Sequence, residues 1–163
     1  GPASHFALHA KPGDRLAISG PGGPDPMLQV AKHYYMAGDL TSLPAISAMA
    51  EVMPAEARGH IALLVPHQED VQDLSLPVGV SLRWFVGTPD QTGPLVEYFT
   101  AQPMAAEESY FWFGGEEGLV VPLRRHVRRT LDTDRQRVYA VPYWRSGKDE
   151  DAYHQDRHVV MDS

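Results

Sequence analysis

Two kinds of apolar pattern alternate along this chain. Short, nearly continuous runs recur at 33–38, 60–65, 80–86, 109–113 and 137–142, and Ile61-Ala62-Leu63-Leu64-Val65 and Tyr110-Phe111-Trp112-Phe113 have no polar break. Strands covered on both faces look like this, because neither side of the pleat meets water. Between them lie stretches with helical spacing, at 42–53, 94–102 and 117–131. In the first, Leu43, Ile46, Ala50 and Met53 share one side, and Pro54 stops the run. In the last, Val120, Leu123, Val127 and Leu131 form the stripe, and the arginines fill the opposite face, a solvated surface or one that attracts an anionic partner or ligand. The alternation predicts an α/β fold, an open parallel sheet wrapped by helices. The polar segment 67–77 reads as a short helix or a loop, and no internal repeat is present.

The first residues break the pattern. Gly1-Pro2-Ala3-Ser4 opens a helix expected to run to about Ala10, and Pro12-Gly13-Asp14 makes a turn. Arg15-Leu16-Ala17-Ile18-Ser19 alternates polar and apolar, as a half-buried strand does. Gly20-Pro21-Gly22-Gly23-Pro24-Asp25-Pro26 has linker composition. It is not a phosphate loop, because no Gly-Lys-Ser/Thr follows and Asp25 breaks the dinucleotide glycine spacing. The expected division is a remnant of another domain at 1–23 and the alternating domain at 24–163.

Composition narrows the chemistry. The 163 residues are 43% hydrophobic and 9% aromatic, enough for one globular domain of ordinary size. The chain has no cysteine, which excludes disulfides, thiolate metal sites and a cysteine nucleophile within it and fits a reducing, cytoplasmic setting. A net charge of -7 argues against general nucleic-acid binding. No run approaches the roughly 20 apolar residues of a membrane helix, and no signal peptide is expected at the start.

The candidate chemistry sits at three strand ends. Tyr34-Tyr35-Met36-Ala37-Gly38-Asp39-Leu40-Thr41-Ser42-Leu43-Pro44 reads as a strand turning sharply into a helix, with Thr41 and Ser42 as caps and Pro44 in the first turn. N–H groups and hydroxyls at such a turn suit the pyrophosphate of a dinucleotide, and an ordinary well-capped turn reads the same way. Gly114-Gly115-Glu116-Glu117-Gly118 is a second such turn, open to a flat ring or simply placing acids at a helix start. Tyr143-Trp144-Arg145-Ser146-Gly147 follows the last strand, where two aromatics can cover a cofactor or pack the sheet edge. His154 and His158 stand four apart without a third metal ligand. No Ser/His/Asp set or carboxylate pair assembles by spacing, so no catalytic residue and no metal site is assigned.

Four segments in order then resemble a known family. They are Gly1-Pro2-Ala3-Ser4, Ala37-Gly38-Asp39-Leu40-Thr41-Ser42-Leu43-Pro44-Ala45-Ile46, Trp112-Phe113-Gly114-Gly115-Glu116 and Tyr143-Trp144-Arg145-Ser146-Gly147, with Arg124-Arg125-His126 on the helix after the third. Together they resemble the siderophore-interacting protein family, flavin-dependent ferric-siderophore reductases of the ferredoxin-reductase superfamily. The resemblance implies a parent with an N-terminal FAD-binding barrel and a C-terminal domain that binds NADPH or NADH. This chain would be the C-terminal, three-layer Rossmann-like domain with a five-stranded parallel sheet, preceded by the end of the barrel.

By that resemblance, Gly1, Ala3 and Ser4 would help hold the flavin diphosphate. Gly38, Asp39, Thr41, Ser42 and Pro44 would line the nicotinamide-nucleotide diphosphate site. Gly115 and Glu116 would lie near the nicotinamide, in a turn where related reductases often carry a cysteine. Tyr143 and Trp144 would sit at the domain interface, and Arg124, Arg128 or Lys148 would attract an acidic ferric siderophore. Hydride would pass from NAD(P)H to FAD and electrons on to Fe(III), releasing iron that hard oxygen donors hold less tightly as Fe(II). The chain alone, without most of the flavin site, would bind no stoichiometric FAD and show negligible activity. Two departures stand out: the barrel's own flavin motif is absent, and Trp84-Phe85-Val86-Gly87-Thr88 follows the third strand where the family often has a basic residue. Taken without the resemblance, the residues also admit a non-catalytic doubly wound domain that binds a nucleotide or a partner. A methyltransferase-like sheet is less suited, since Val65-Pro66-His67 puts no acid at the end of the second strand.

Overall fold

The computed structural model describes residues 2–17, 23–148 and Tyr153, with the side chains of residues 2–4 left aside. Helix α1 (Pro2–His9) precedes an alternating series: β1 (His33–Asp39), α2 (Leu43–Glu51), β2 (Arg58–Val65), β3 (Gly79–Val86), α3 (Gly93–Ala101), β4 (Ser109–Glu116), α4 (Glu117–Arg129) and β5 (Val138–Trp144). Single 3-10 turns occupy Gln68–Asp70 and Arg135–Arg137. The five strands form one sheet in the order β3-β2-β1-β4-β5, and every pair is parallel. The expected open α/β sheet is therefore present, and each expected strand and helix of the alternating part is found.

Strand β1 is central because its residues tolerate burial on both faces. Tyr34 and Met36 point into one layer with Trp112 and α2, while Tyr35 and Ala37 point into the other with Phe111, Phe113, α3 and α4. The tyrosine tips find partners as they enter the core. Tyr34 Oη accepts from the Ala31 N–H at 3.1 Å, Tyr35 Oη accepts from the Ala105 N–H at 2.9 Å, and Tyr110 donates to the Met27 carbonyl at 2.9 Å. Burial, with a smaller contribution from Tyr139, pushes the Tyr110 hydroxyl up to about 12.

One buried group has no such settlement. His60 lies 6% exposed on β2, with its ring 4.5 Å from Phe99 and 5.0 Å from Tyr35, centroid to centroid. Its Nε2 has no hydrogen-bond partner, and burial lowers its pKa to about 4, so it is a neutral core residue at pH 7.

Two expectations need correction. Residues 15–17 of the expected strand at 15–19 are exposed and belong to no regular element, and residues 18 and 19 lie outside the described residues. An isolated strand has nowhere to place its N–H and C=O groups, and neither β3 nor β5 pairs with this segment. The arginine face of α4 is not uniformly solvated either. Arg124 is 4% exposed, although Arg125 and Arg129 are exposed. Burial first, then Arg128 and Arg125, lower the Arg124 pKa from its usual value. The apolar stripe alone does not show this, because a guanidinium can lie down along its helix and bury its stem.

The sheet's order creates the place where a ligand is expected. From β1 the chain moves outward to β2 and β3, then returns to β4 on the other side. The helices following β1 and β4 therefore lie on opposite faces and leave a crevice at the carboxyl ends of these two strands.

Candidate functional site

At that crevice β1 and β4 run side by side in register, with Gly38 opposite Gly114. Neither glycine has room for a side chain. A Cβ on Gly38 would stand 1.8 Å from Ser42 Oγ and 2.8 Å from the Gly114 carbonyl oxygen. A Cβ on Gly114 would stand 2.8 Å from the Trp112 ring and 3.1 Å from that of Tyr143. These contacts let the chain leave β1, turn and start α2 close against β4.

The next residue closes the seam. Asp39 is 3% exposed, yet its carboxylate accepts four hydrogen bonds. Oδ1 accepts from the Thr41 N–H at 2.9 Å and the Thr41 hydroxyl at 2.5 Å; Oδ2 accepts from the Glu116 N–H at 2.7 Å and the Trp144 indole N–H at 2.9 Å. One carboxylate thus holds together the ends of β1, β4 and β5. Gly115 has φ +130°, and a Cβ there would meet the Asp39 carboxyl at 2.6 Å, so this position requires glycine twice over.

The hydroxyls expected to cap α2 are turned back toward Asp39. Ser42 occupies the N-cap position, but its buried Oγ donates to the Asp39 carbonyl at 2.9 Å and no side-chain cap forms. Thr41 is engaged with Asp39 through both its N–H and its hydroxyl. Pro44 sits in the first turn as expected. Glu116 does cap a helix: Oε2 accepts from the Gly118 N–H, and Oε1 accepts from the Ser146 N–H at 3.1 Å. Arg145 pairs with Glu117 at 3.5 Å, so the segment after β5 is held to the start of α4 at two points.

Beside the closed seam lies a cleft of about 390 Å³. The end of β1 supplies Asp39, Leu40 and Thr41 to one wall, and Trp144 reaches the same wall from β5. Leu64, Val65 and Pro66 come from the end of β2, and Gly87 and Pro89 from the turn after β3. Gly87 donates its N–H to the Val65 carbonyl at 3.0 Å and ties those two ends together. A second hollow of about 570 Å³ adjoins it, sharing Leu64 and Gly87 and extending to Phe85, Val86, Gln91 and Pro94. The β2 and β3 end residues went unnoticed as site residues in the sequence. The available signal was positional: in a parallel sheet, whatever follows each strand's carboxyl end faces the same side.

The other candidates fall in different places. Tyr143 covers Gly114 and is packed edge-on against Trp112 at 6.5 Å, and burial and Tyr139 raise its pKa. Arg124, Arg125, Arg128 and Arg129 line a separate hollow of about 300 Å³. Helix α4 starts at the cleft end and runs back along the sheet. A rise of ~1.5 Å per residue puts Arg124 roughly 12 Å and Arg128 roughly 18 Å beyond Glu116. Lys148, four residues past Trp144, is exposed and is not grouped with them. Ala3 and Ser4 belong to α1, but their side chains, like Gly1, His154 and His158, lie outside the described residues. Among the described residues, no three His, Asp or Glu side chains stand together to share a metal ion, and no helix is long and apolar enough to cross a membrane.

Comparison with known proteins agrees with this architecture. A family described as "Siderophore-interacting protein" matches residues 31–147. The ferric vibriobactin reductase ViuB of Vibrio cholerae is 42% identical over 99% of this chain and 60% of its own length. The NADPH-dependent ferric-chelate reductase of Escherichia coli is 28% identical over 88% of this chain and 56% of its own. The crystal structure of the siderophore-interacting protein SipS from Aeromonas hydrophila superposes with a TM-score of 0.94 at 78% identity, covering 100% of this chain and 64% of that one. The chain thus spans about 60% of the length of the relatives it matches.

Proposed function

The chain belongs to the siderophore-interacting protein family, and from that premise we propose that it is the pyridine-nucleotide half of a flavin-dependent ferric-siderophore reductase. The observation that carries the proposal is the cleft at the carboxyl ends of β1, β2 and β3, beside the first turn of α2 and walled by Trp144. An open parallel sheet offers its ligand site there. The residues fit a dinucleotide: the cleft is lined mainly by apolar side chains that suit a flat ring, and a helix N-terminus adjoins it. Asp39 does not oppose an anion there as a free carboxylate would, because four internal donors already surround it.

In this reading Gly38, Ser42 and Pro44 shape the turn, the start of α2 receives the diphosphate, and Thr41, both of whose donors go to Asp39, borders it. Asp39 positions Thr41 and Trp144. Gly115 and Glu116 turn the end of β4 near the nicotinamide, and Tyr143 and Trp144 lie where the flavin-bearing barrel of the longer protein meets this domain. When bound, NADPH or NADH supplies a hydride, FAD accepts it, and single electrons reach the Fe(III) of the siderophore substrate. The protein's part is to bind, orient and exclude water. Residues 1–23, with Leu8 80% exposed on α1, belong to the barrel domain, and residues 24–163 to the nucleotide domain. Gly1, Ala3 and Ser4 serve the flavin diphosphate. Arg124, Arg128 and Lys148 are the candidate cations for an anionic siderophore; Arg124 is 4% exposed, so the exposed Lys148 is more accessible than Arg124. The setting is the cytoplasm, and neither nucleic acid nor membrane is a partner.

The test is a titration of the chain with NADH and NADPH, read by tryptophan fluorescence. Trp144 lines the cleft whereas Trp112 is fully buried. A saturable change that disappears in Trp144→Phe is expected, as is ferric-siderophore reduction only when the barrel domain is present. No response to either nucleotide, at any concentration up to the millimolar range, would refute the assignment.

A further inference from the structure

The walls of the cleft carry a specificity that neither the fold nor the family dictates. We propose that this domain selects the 2′-hydroxyl form of the dinucleotide, NADH, and disfavours the 2′-phosphorylated form, NADPH. The inference rests on the reading of the cleft as a dinucleotide site.

The argument is one of charge. A 2′-phosphate brings about −1.5 to −2 charges at pH 7 and needs a cation where it is received, commonly an arginine near the end of the second strand. Among the described residues, none lines the cleft. No residue lining the cleft or the adjoining hollow is a lysine or arginine. Between Arg58 and Arg124 the sequence holds a single Lys or Arg, Arg83. That residue sits mid-strand on β3, with its guanidinium 5.8 Å from the Phe85 ring and 5.7 Å from the Tyr98 ring.

The segments that line the cleft continue into acids: Glu69 and Asp70 follow Pro66 by three and four residues, and Asp90 follows Pro89. Asp70 accepts the His67 N–H at 3.1 Å, which closes the turn at 67–70. A ribose 2′-hydroxyl can donate to such a carboxylate. A phosphate there meets like charge on the adjoining segments, with no lysine or arginine among the described lining residues to compensate its loss of water.

The experiment compares ADP-ribose with its 2′-phosphorylated analogue, together with NADH and NADPH, by Trp144 fluorescence on the chain. The unphosphorylated ligands should bind about tenfold more tightly, a ratio that shrinks as salt is raised. In Asp90→Lys, and more so in Glu69→Lys with Asp90→Lys, the ratio should fall toward unity or invert, while Arg83→Ala should leave it unchanged. Equal or tighter binding of the phosphorylated ligands overturns the selectivity and leaves the dinucleotide site standing. A preference for them that Arg83→Ala abolishes does the same and identifies the cation. Binding of none of the four ligands removes both the selectivity and the reading beneath it.

Discussion

Replacing Asp39 tests whether one carboxylate holds the functional end of the sheet together. In Asp39→Ala four donors lose their acceptor. Thr41 is exposed, so its N–H and hydroxyl regain water; the Glu116 N–H and the Trp144 indole are within or at the edge of the core. Charge-assisted hydrogen bonds contribute about 1.5–3 kcal/mol each, and a buried donor left unpaired costs about 1–3 kcal/mol. Counting only the two inner donors, Asp39→Ala should cost about 3–4 kcal/mol, a large share of the 5–15 kcal/mol typical of a domain. Asp39→Asn keeps the shape but turns an amide toward two of the four donors, and should cost about 2 kcal/mol. Urea unfolding followed by far-UV circular dichroism measures this. With a slope of about 2 kcal/mol per molar, the midpoint should fall by roughly 1.5–2 M for alanine at unchanged slope. A double-mutant cycle with Trp144→Phe should return a coupling of about 1 kcal/mol or more. A loss under ~1 kcal/mol for Asp39→Ala, with no coupling to Trp144, would refute the reasoning.

Gly38→Ala should destabilise by about 3 kcal/mol or more, and adding Ser42→Ala should not rescue it, because the Gly114 carbonyl at 2.8 Å is backbone and cannot swing away; full recovery in the double variant would contradict the packing account. His60 has its folded-state pKa depressed from 6.5 to about 4, so the unfolded chain binds the extra proton between those values and the stabilising contribution, present above pH 6.5, is lost as pH falls toward 4. The His60→Leu variant should therefore lose less stability than the parent between pH 6.5 and 4, by about 2 kcal/mol, and be neutral or slightly stabilised at pH 7; parallel pH profiles in urea unfolding would count against it.

The alternation of apolar runs revealed the architecture because burial on both faces removes the usual polar interruption from β1, β2 and β4. Turn chemistry at residues 38–44 and 114–118 was equally legible, since Gly38, Pro44 and Gly115 each answer a steric demand that only a few residue types meet. The partners of those residues were not legible. Nothing local in the sequence says that Asp39 reaches Glu116 and Trp144, 77 and 105 residues away, or that Ser42 turns back to its own strand and not toward a ligand. Arg124 shows the same limit on a helix: the apolar stripe defines which side is buried, but a long side chain at its margin can fold under it. The expected strand at 15–19 failed for a related reason, since alternation shows that a segment can pair and not that a partner is present.

The closed seam bears on the proposed ligand position. If the cleft takes a dinucleotide, the lock at Asp39 keeps it from settling between β1 and β4 and sends it over the strand ends, with one part beside α2 and the cleft of β2 and β3. Trp144 lines that cleft, and its indole bonds the same carboxylate that holds Thr41 at the start of α2. The two halves of the site are therefore not independent. A change at the β5 edge that shifts the indole withdraws a donor from Asp39, loosens Thr41, and so reaches the diphosphate position through a chain of two hydrogen bonds. Substitutions at Trp144 should accordingly weaken binding of a ligand that has only the diphosphate and adenosine portions, even where the indole itself makes no contact with it.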